Sequence, residues 1–139
     1  MIEGNQYIEV VNTYFNFLIS EFGFKLSEEI INGNFFYRLR YLDKTKAITI
    51  SYENIEDYLS VFISILCNGE LPDYDDKMKT IHLNKINAMV LSQVTKEEIT
   101  INNEHFLMFK PKNELEKKLL KSAKELRLCL NHFSDLKIT

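Results

Sequence analysis

Few residues of this sequence have the types and spacing that chemistry needs. His82, His105 and His132 are its only histidines. None has a second His, a Cys or a paired carboxylate at zinc-ligand spacing, and Glu104-His105 lacks the second His of a metalloprotease helix. Each reads as a surface or partly packed imidazole, so no metal and no other cofactor is expected. Asp73, Asp75 and Asp76 have the density of a calcium loop. Tyr74 interrupts them, however, and the glycine and distal bidentate Glu of such a loop are out of register. Gly4, Gly23, Gly33 and Gly69 are isolated, which leaves no glycine-rich phosphate cradle, and no Ser stands in a Gly-x-Ser-x-Gly elbow. Cys67 and Cys129 are too few and too far apart in sequence to suggest a disulfide framework, and Cys67 has no nearby basic group in sequence to lower its thiol pKa. Both read as reduced, structural thiols. No catalytic set emerges, and the expectation is a protein that is not an enzyme.

Charge is more informative than any motif. The formal net charge is −3, which disfavours nucleic acid or an anionic membrane as partner. From Ala47 to Asp76 there are seven acids (Glu53, Glu56, Asp57, Glu70, Asp73, Asp75 and Asp76) and no Lys or Arg. From Lys110 to Arg127 seven bases stand against three acids. The chain is thus polarised along its length. The acidic stretch is expected to present a surface to a basic protein partner, with Tyr74 as an aromatic anchor among the carboxylates. The alternative is a solvated face with no further role.

Two other groups invite a ligand. Tyr37, Tyr41, Tyr52 and Tyr58 are placed to line an aromatic pocket between helices and sheet, for a small-ligand binder or an enzyme; otherwise they are core with hydroxyls at the rim. Arg38 and Arg40 share one face of one strand and suit an anion or an intramolecular carboxylate.

The elements that must position these residues begin with a meander. Phe35 to Tyr41, Ala47 to Tyr52 and Tyr58 to Leu66 alternate with period two and are rich in aromatic and β-branched residues. Phe35, Tyr37, Leu39 and Tyr41, with Ile48, Ile50 and Tyr52 and then Leu59, Val61, Ile63 and Ile65, form the expected core face. The opposite face is mixed, and its Phe36 and Phe62 call for a cover, either another element of the chain or a second copy in a homo-oligomer. An edge strand is expected from Phe24 to Ile31, its alternation broken at Ser27-Glu28-Glu29, with Asn32-Gly33 as the turn into the next strand.

Helices frame the meander. Spacings of three and four predict one amphipathic helix from Asn5 to Phe22, stopped by Gly23. Thr80 to Leu83 reads as extended, and Asn84 as the cap of a short helix to Leu91. Residues 92–109 carry conflicting signals: Thr95-Lys96-Glu97-Glu98 resembles a capping box, whereas Asn102-Asn103 between apolar triplets suggests a hairpin, and extended structure is favoured. Asn113 should cap a final helix with Leu115, Leu119, Leu126, Cys129 and Phe133 on one side.

At 139 residues the expectation is a single α+β domain. Its antiparallel meander of about four strands would be packed on one face by the N-terminal and C-terminal helices. Its longest apolar run, Leu59 to Cys67, is too short to cross a bilayer, and no signal peptide is visible, so cytoplasm is the default.

The layout has a likeness. A leading helix ending in Phe22-Gly23-Phe24, strands Ile48-Thr49-Ile50-Ser51-Tyr52-Glu53 and Tyr58-Leu59-Ser60-Val61-Phe62-Ile63, an acidic loop and a closing helix resemble the small single-domain bacterial proteins of the polymorphic-toxin immunity type. The resemblance covers most of the chain and implies a non-catalytic cytoplasmic protein that binds and neutralises a cognate toxin. It carries over no individual site residue.

Overall fold

The computed structural model describes residues 2–72 and 79–133. Five antiparallel strands lie in simple sequence order: β1 (Lys25–Asn32), β2 (Phe36–Leu42), β3 (Lys46–Glu53), β4 (Tyr58–Ile65) and β5 (Thr80–His82). The helices are α1 (Gly4–Tyr14), α2 (Phe17–Ser20), α3 (Leu83–Leu91), α4 (Lys96–Glu104) and α5 (Glu114–Asn131). The fold is therefore α+β with helices covering one sheet face, and the expected set of about four strands gains a fifth. That fifth is Thr80–His82, the segment read as extended.

Register sorts the side chains into rows, because directly paired residues share a face. On the core face run Tyr37–Tyr52–Leu59, Leu39–Ile50–Val61 and Tyr41–Ile48–Ile63–Ile81. Outside run Asn32–Phe36–Glu53–Tyr58, Ile30–Arg38–Ser51–Ser60, Glu28–Arg40–Thr49–Phe62–His82 and Leu42–Ala47–Ser64–Thr80. The inner rows pack under Tyr7, Val11 and Leu18 from the N-terminal helices and Leu119, Ala123 and Leu126 from α5. Asp43 fixes the β2–β3 link, its Oδ1 accepting from the Thr45 and Lys46 amides at 2.8 and 2.7 Å. β1 is one edge strand, as expected, and its register slips between Leu26 and Glu28, where the alternation breaks in sequence.

Four expectations need correction. The single helix from Asn5 to Phe22 is two, with a break at Phe15-Asn16. Residues two apart on one helix point about 200° apart, yet Phe15 and Phe17 are both buried, with ring centroids 6.1 Å apart. The break lets both reach the core. Gly23 still ends the segment, at φ +73°. Second, the cap of α3 is His82, whose Nδ1 accepts from the Asn84 amide at 3.2 Å, not Asn84 itself. Third, residues 92–109 are not extended but carry α4, whose capping Thr95 Oγ1 accepts from the Glu98 amide at 3.1 Å. Asn102, read as a turn residue, is buried in α4; it donates to Lys124 O at 2.9 Å and accepts from Arg127 Nη1 at 2.9 Å. Tertiary partners satisfy the amide that a turn would otherwise have used. Fourth, Phe35 is not on the core face. It stands before β2 in the turn and is 59% exposed.

Asn113 caps α5 as expected, accepting from the Glu116 amide at 2.9 Å while its own amide donates to Glu116 Oε2 at 3.1 Å. No helix among the described residues is long and apolar enough to cross a membrane.

Candidate functional site

The described acids of the stretch, Glu53, Glu56, Asp57 and Glu70, fall at the two ends of β4. At one end the β3–β4 turn brings Glu53, Glu56 and Asp57 together, all exposed. At the other, Glu70 lies across from Cys67 in an isolated antiparallel bridge. Eight strand residues separate the two groups, roughly 25 Å at strand rise. Glu70 therefore does not join Glu53, Glu56 and Asp57 in one patch. Asp73, Tyr74, Asp75 and Asp76 lie outside the described residues.

The turn is built to be firm. Asp57 sits at φ +48°, a left-handed conformation that Asp tolerates better than most residues. Its Oδ1 accepts from Tyr52 Oη at 2.6 Å and its Oδ2 lies 3.3 Å from Lys118 Nζ. Those hydrogen bonds, Tyr52 first, hold its carboxyl below the usual carboxylate range. The same contact works the other way on the phenol: burial foremost, and then Asp57, push Tyr52 up to about 12. Asn54 closes the neighbouring turn, its amide N–H reaching Phe35 O at 2.9 Å and its side chain Asn34 O at 2.7 Å. The β1–β2 and β3–β4 turns are thereby tied into one tip.

Apolar side chains crown that tip. Phe35, Ile55 and Tyr58 are 59%, 68% and 53% exposed, and Glu53 lies between Phe36 and Tyr58 in the outermost row. Glu53 and Glu56 make no ion pair among the described residues, whereas Asp57 is engaged by Lys118. Exposed apolar side chains and, among the described residues, unpaired carboxylates thus share the tip. The exposure of Ile55 was hidden in sequence by its place in a polar bend. That of Phe35 and Tyr58 was hidden by their fit to the strand alternation.

The tyrosines divide. Tyr7, Tyr37 and Tyr41 are fully buried, and Tyr7 stacks near Tyr37 and Tyr52 at 5.4 and 6.0 Å between centroids. Tyr37 Oη donates to Ile2 O and Tyr41 Oη to Asn12 Oδ1. Their rings fill the interface between helix and sheet. Tyr58 points to the opposite face and leaves that group.

Arg38 and Arg40 both turn to Glu28 on the outer face. Arg38 Nε and Nη2 each lie 2.9 Å from Glu28 Oε1, and Arg40 Nη1 lies 3.5 Å from it. Leu71 and Pro72 come over this face and supply part of the cover that Phe36 and Phe62 call for.

The cysteines are free thiols. Cys129 is buried, and burial pushes its thiol up to about 12. Cys67 has a basic neighbour that its sequence position conceals, Lys79 Nζ at 2.9 Å. Among the described residues no cluster of His, Cys, Asp and Glu could hold a metal ion.

Compared with known proteins, the chain matches no family model, no curated protein and no solved structure.

Proposed function

We propose that this chain is a non-catalytic binding module that recognises a basic protein partner through the tip of its sheet, and that it neutralises that partner in the manner of an immunity protein. The observation that supports this reading is the exposure of Phe35, Ile55 and Tyr58 on a hydrogen-bonded tip beside the unpaired Glu53 and Glu56. Large apolar side chains held at the surface lose water contact favourably when a partner covers them. Carboxylates beside them attract a basic partner over a Debye length and speed encounter. A tip fixed by Tyr52–Asp57 and Asn54–Asn34 bonds adds little ordering cost on binding.

The test begins with a pull-down from the native cell and continues with the captured partner. Glu53→Gln/Glu56→Gln should slow association and flatten its salt dependence, and Tyr58→Ala should speed dissociation. Unchanged kinetics in both variants would place the partner's site elsewhere.

A further inference from the structure

The outer face of the sheet holds a second feature, separate from the tip. Phe36, Arg38, Arg40, Thr49, Ser51, Phe62, Ser64 and Thr80, with Leu71 and Pro72 above them, line a concavity of about 480 Å³. That volume lies in the range of small-molecule sites, roughly 300–1,000 Å³. Its floor is hydroxylic and largely shut off from water: Thr49 and Ser64 are buried. Its walls are apolar, with Phe36, Phe62, Leu71 and Pro72 around a cationic centre.

The charge at that centre is incompletely matched. Among the described residues one carboxylate, Glu28, serves two guanidiniums, which leaves one positive charge in excess there. Arg40 Nε donates to Thr49 Oγ1 at 3.2 Å, a neutral acceptor. Arg38 Nη1 and Arg40 Nη2 have no partner among the described residues. Burial is the largest influence on Arg40 and pulls its pKa down, as expected of a guanidinium short of both water and countercharge.

We infer that this concavity binds a small organic anion, a single carboxylate or phosphate carried on a flat apolar body. The anionic group takes the outward N–H donors of Arg38 and Arg40, a guanidinium geometry suited to planar or tetrahedral oxyanions. The apolar body lies against Phe36, Phe62, Leu71 and Pro72. A bare inorganic anion would leave those walls wet, and a neutral aromatic would leave the guanidiniums unmatched. This site is independent of the partner-binding tip, and either stands if the other falls.

The experiment is an NMR amide-shift titration of the whole chain at fixed ionic strength. The probes are benzoate and phenyl phosphate, with benzamide as the neutral control. Saturable shifts at Arg38–Arg40, Thr49–Ser51, Ser64 and Thr80 are expected, with the tighter anion assigning the headgroup. Benzamide should bind at least about tenfold more weakly, as loss of a charge-assisted hydrogen bond implies. Arg40→Gln should weaken the anions by a similar factor. Ser51→Leu, which fills the concavity without touching its charge, should also abolish the shifts and guards against a misfolded arginine variant. The inference is overturned by shifts that never saturate, by equal affinity for benzamide, or by shifts confined to the lysines of α5. It is equally overturned if sedimentation shows this face closed by a second copy of the chain.

Discussion

Tyr52 Oη lies 2.6 Å from Asp57 Oδ1 and donates to it, so a side chain rooted in the aromatic core ends on the acid of the β3–β4 turn. Tyr52 stacks near Tyr7, and Asp57 faces solvent with Lys118 on its other oxygen. This bond makes one of the turn's three acids a structural element. Under the proposed function, Glu53 and Glu56 are the acids left for a partner to meet.

The pair sets a pH dependence with two limbs. Asp57 has a folded-state pKa below its unfolded value, so its contribution is present above the ordinary carboxylate pKa and is lost as pH falls through the lower folded value. Tyr52, raised to about 12, favours its neutral form in the fold. Its contribution is full below pH ~10 and is lost as pH rises from there toward 12. Tyr52→Phe should remove the alkaline limb and shrink the acidic one, which Lys118 still supports. An NMR titration of the Asp57 carboxyl should then show its midpoint move up toward that of an ordinary aspartate. No movement would mean that the 2.6 Å contact does not persist in solution.

The core rows predict a stability pattern. Leu39 and Ile50 share one inner row of the sheet, Ile63 lies in the next, and all three are fully buried. Truncation of each to Ala should cost about 2–5 kcal/mol in urea unfolding. Ile55→Ala, on the exposed tip, should cost less than about 0.5 kcal/mol. Losses of similar size at all four positions would contradict the register.

The thiols should separate kinetically. Cys129 is buried, with its pKa pushed up to about 12 by burial first and Glu125 second, so its thiolate is scarce at neutral pH. Cys67 is only partly covered and has Lys79 Nζ at 2.9 Å. A colorimetric disulfide reagent at pH 8 should therefore modify Cys67 in the native protein, and both cysteines only in urea. Cys129→Ala should lower stability by about 1 kcal/mol and leave the tip intact. Equal native reactivity would place Cys129 outside the core.

What the sequence made legible follows from which signals are local. Strand alternation depends on a two-residue period, so β2, β3 and β4 could be read directly, and the break at Ser27–Glu29 marked the irregular edge strand. The Thr95 and Asn113 caps were visible because a cap is also local chemistry. Alternation does not say where a strand begins: Phe35 fits the β2 pattern, yet the turn holds it outside the strand. α4 was missed because Asn102 owes its place to Lys124 and Arg127, more than twenty residues away. For the candidate tip, the acids were readable as composition. The contact of the two turns rests on Asn54, bonded to Phe35 O and Asn34 O, and no local pattern announces it.

The functional prediction separates charge from contact. If the tip docks a basic partner, Glu53 and Glu56 act mainly before contact, by steering, because both are exposed and unpaired among the described residues. Glu53→Gln/Glu56→Gln should lower the association rate at low salt, and the deficit should shrink as ionic strength rises and the Debye length contracts. Dissociation should change little. Tyr58 and Ile55 act after contact, by surrendering exposed apolar surface. Tyr58→Ala should leave the association rate within a fewfold and raise the dissociation rate, with a loss of about 2 kcal/mol or more if it is the anchor. Because Glu53 is the direct neighbour of Tyr58 in the outer row, the triple change should fall short of additivity. Asp57→Asn is the control: it can keep the acceptor for Tyr52 and the left-handed φ, and it removes a charge that Lys118 already offsets. It should therefore change the association rate less than the double Gln variant does. A larger effect from Asp57→Asn than from the two glutamates together would show that the partner reads Asp57 directly, and the assignment of steering to Glu53 and Glu56 would be wrong.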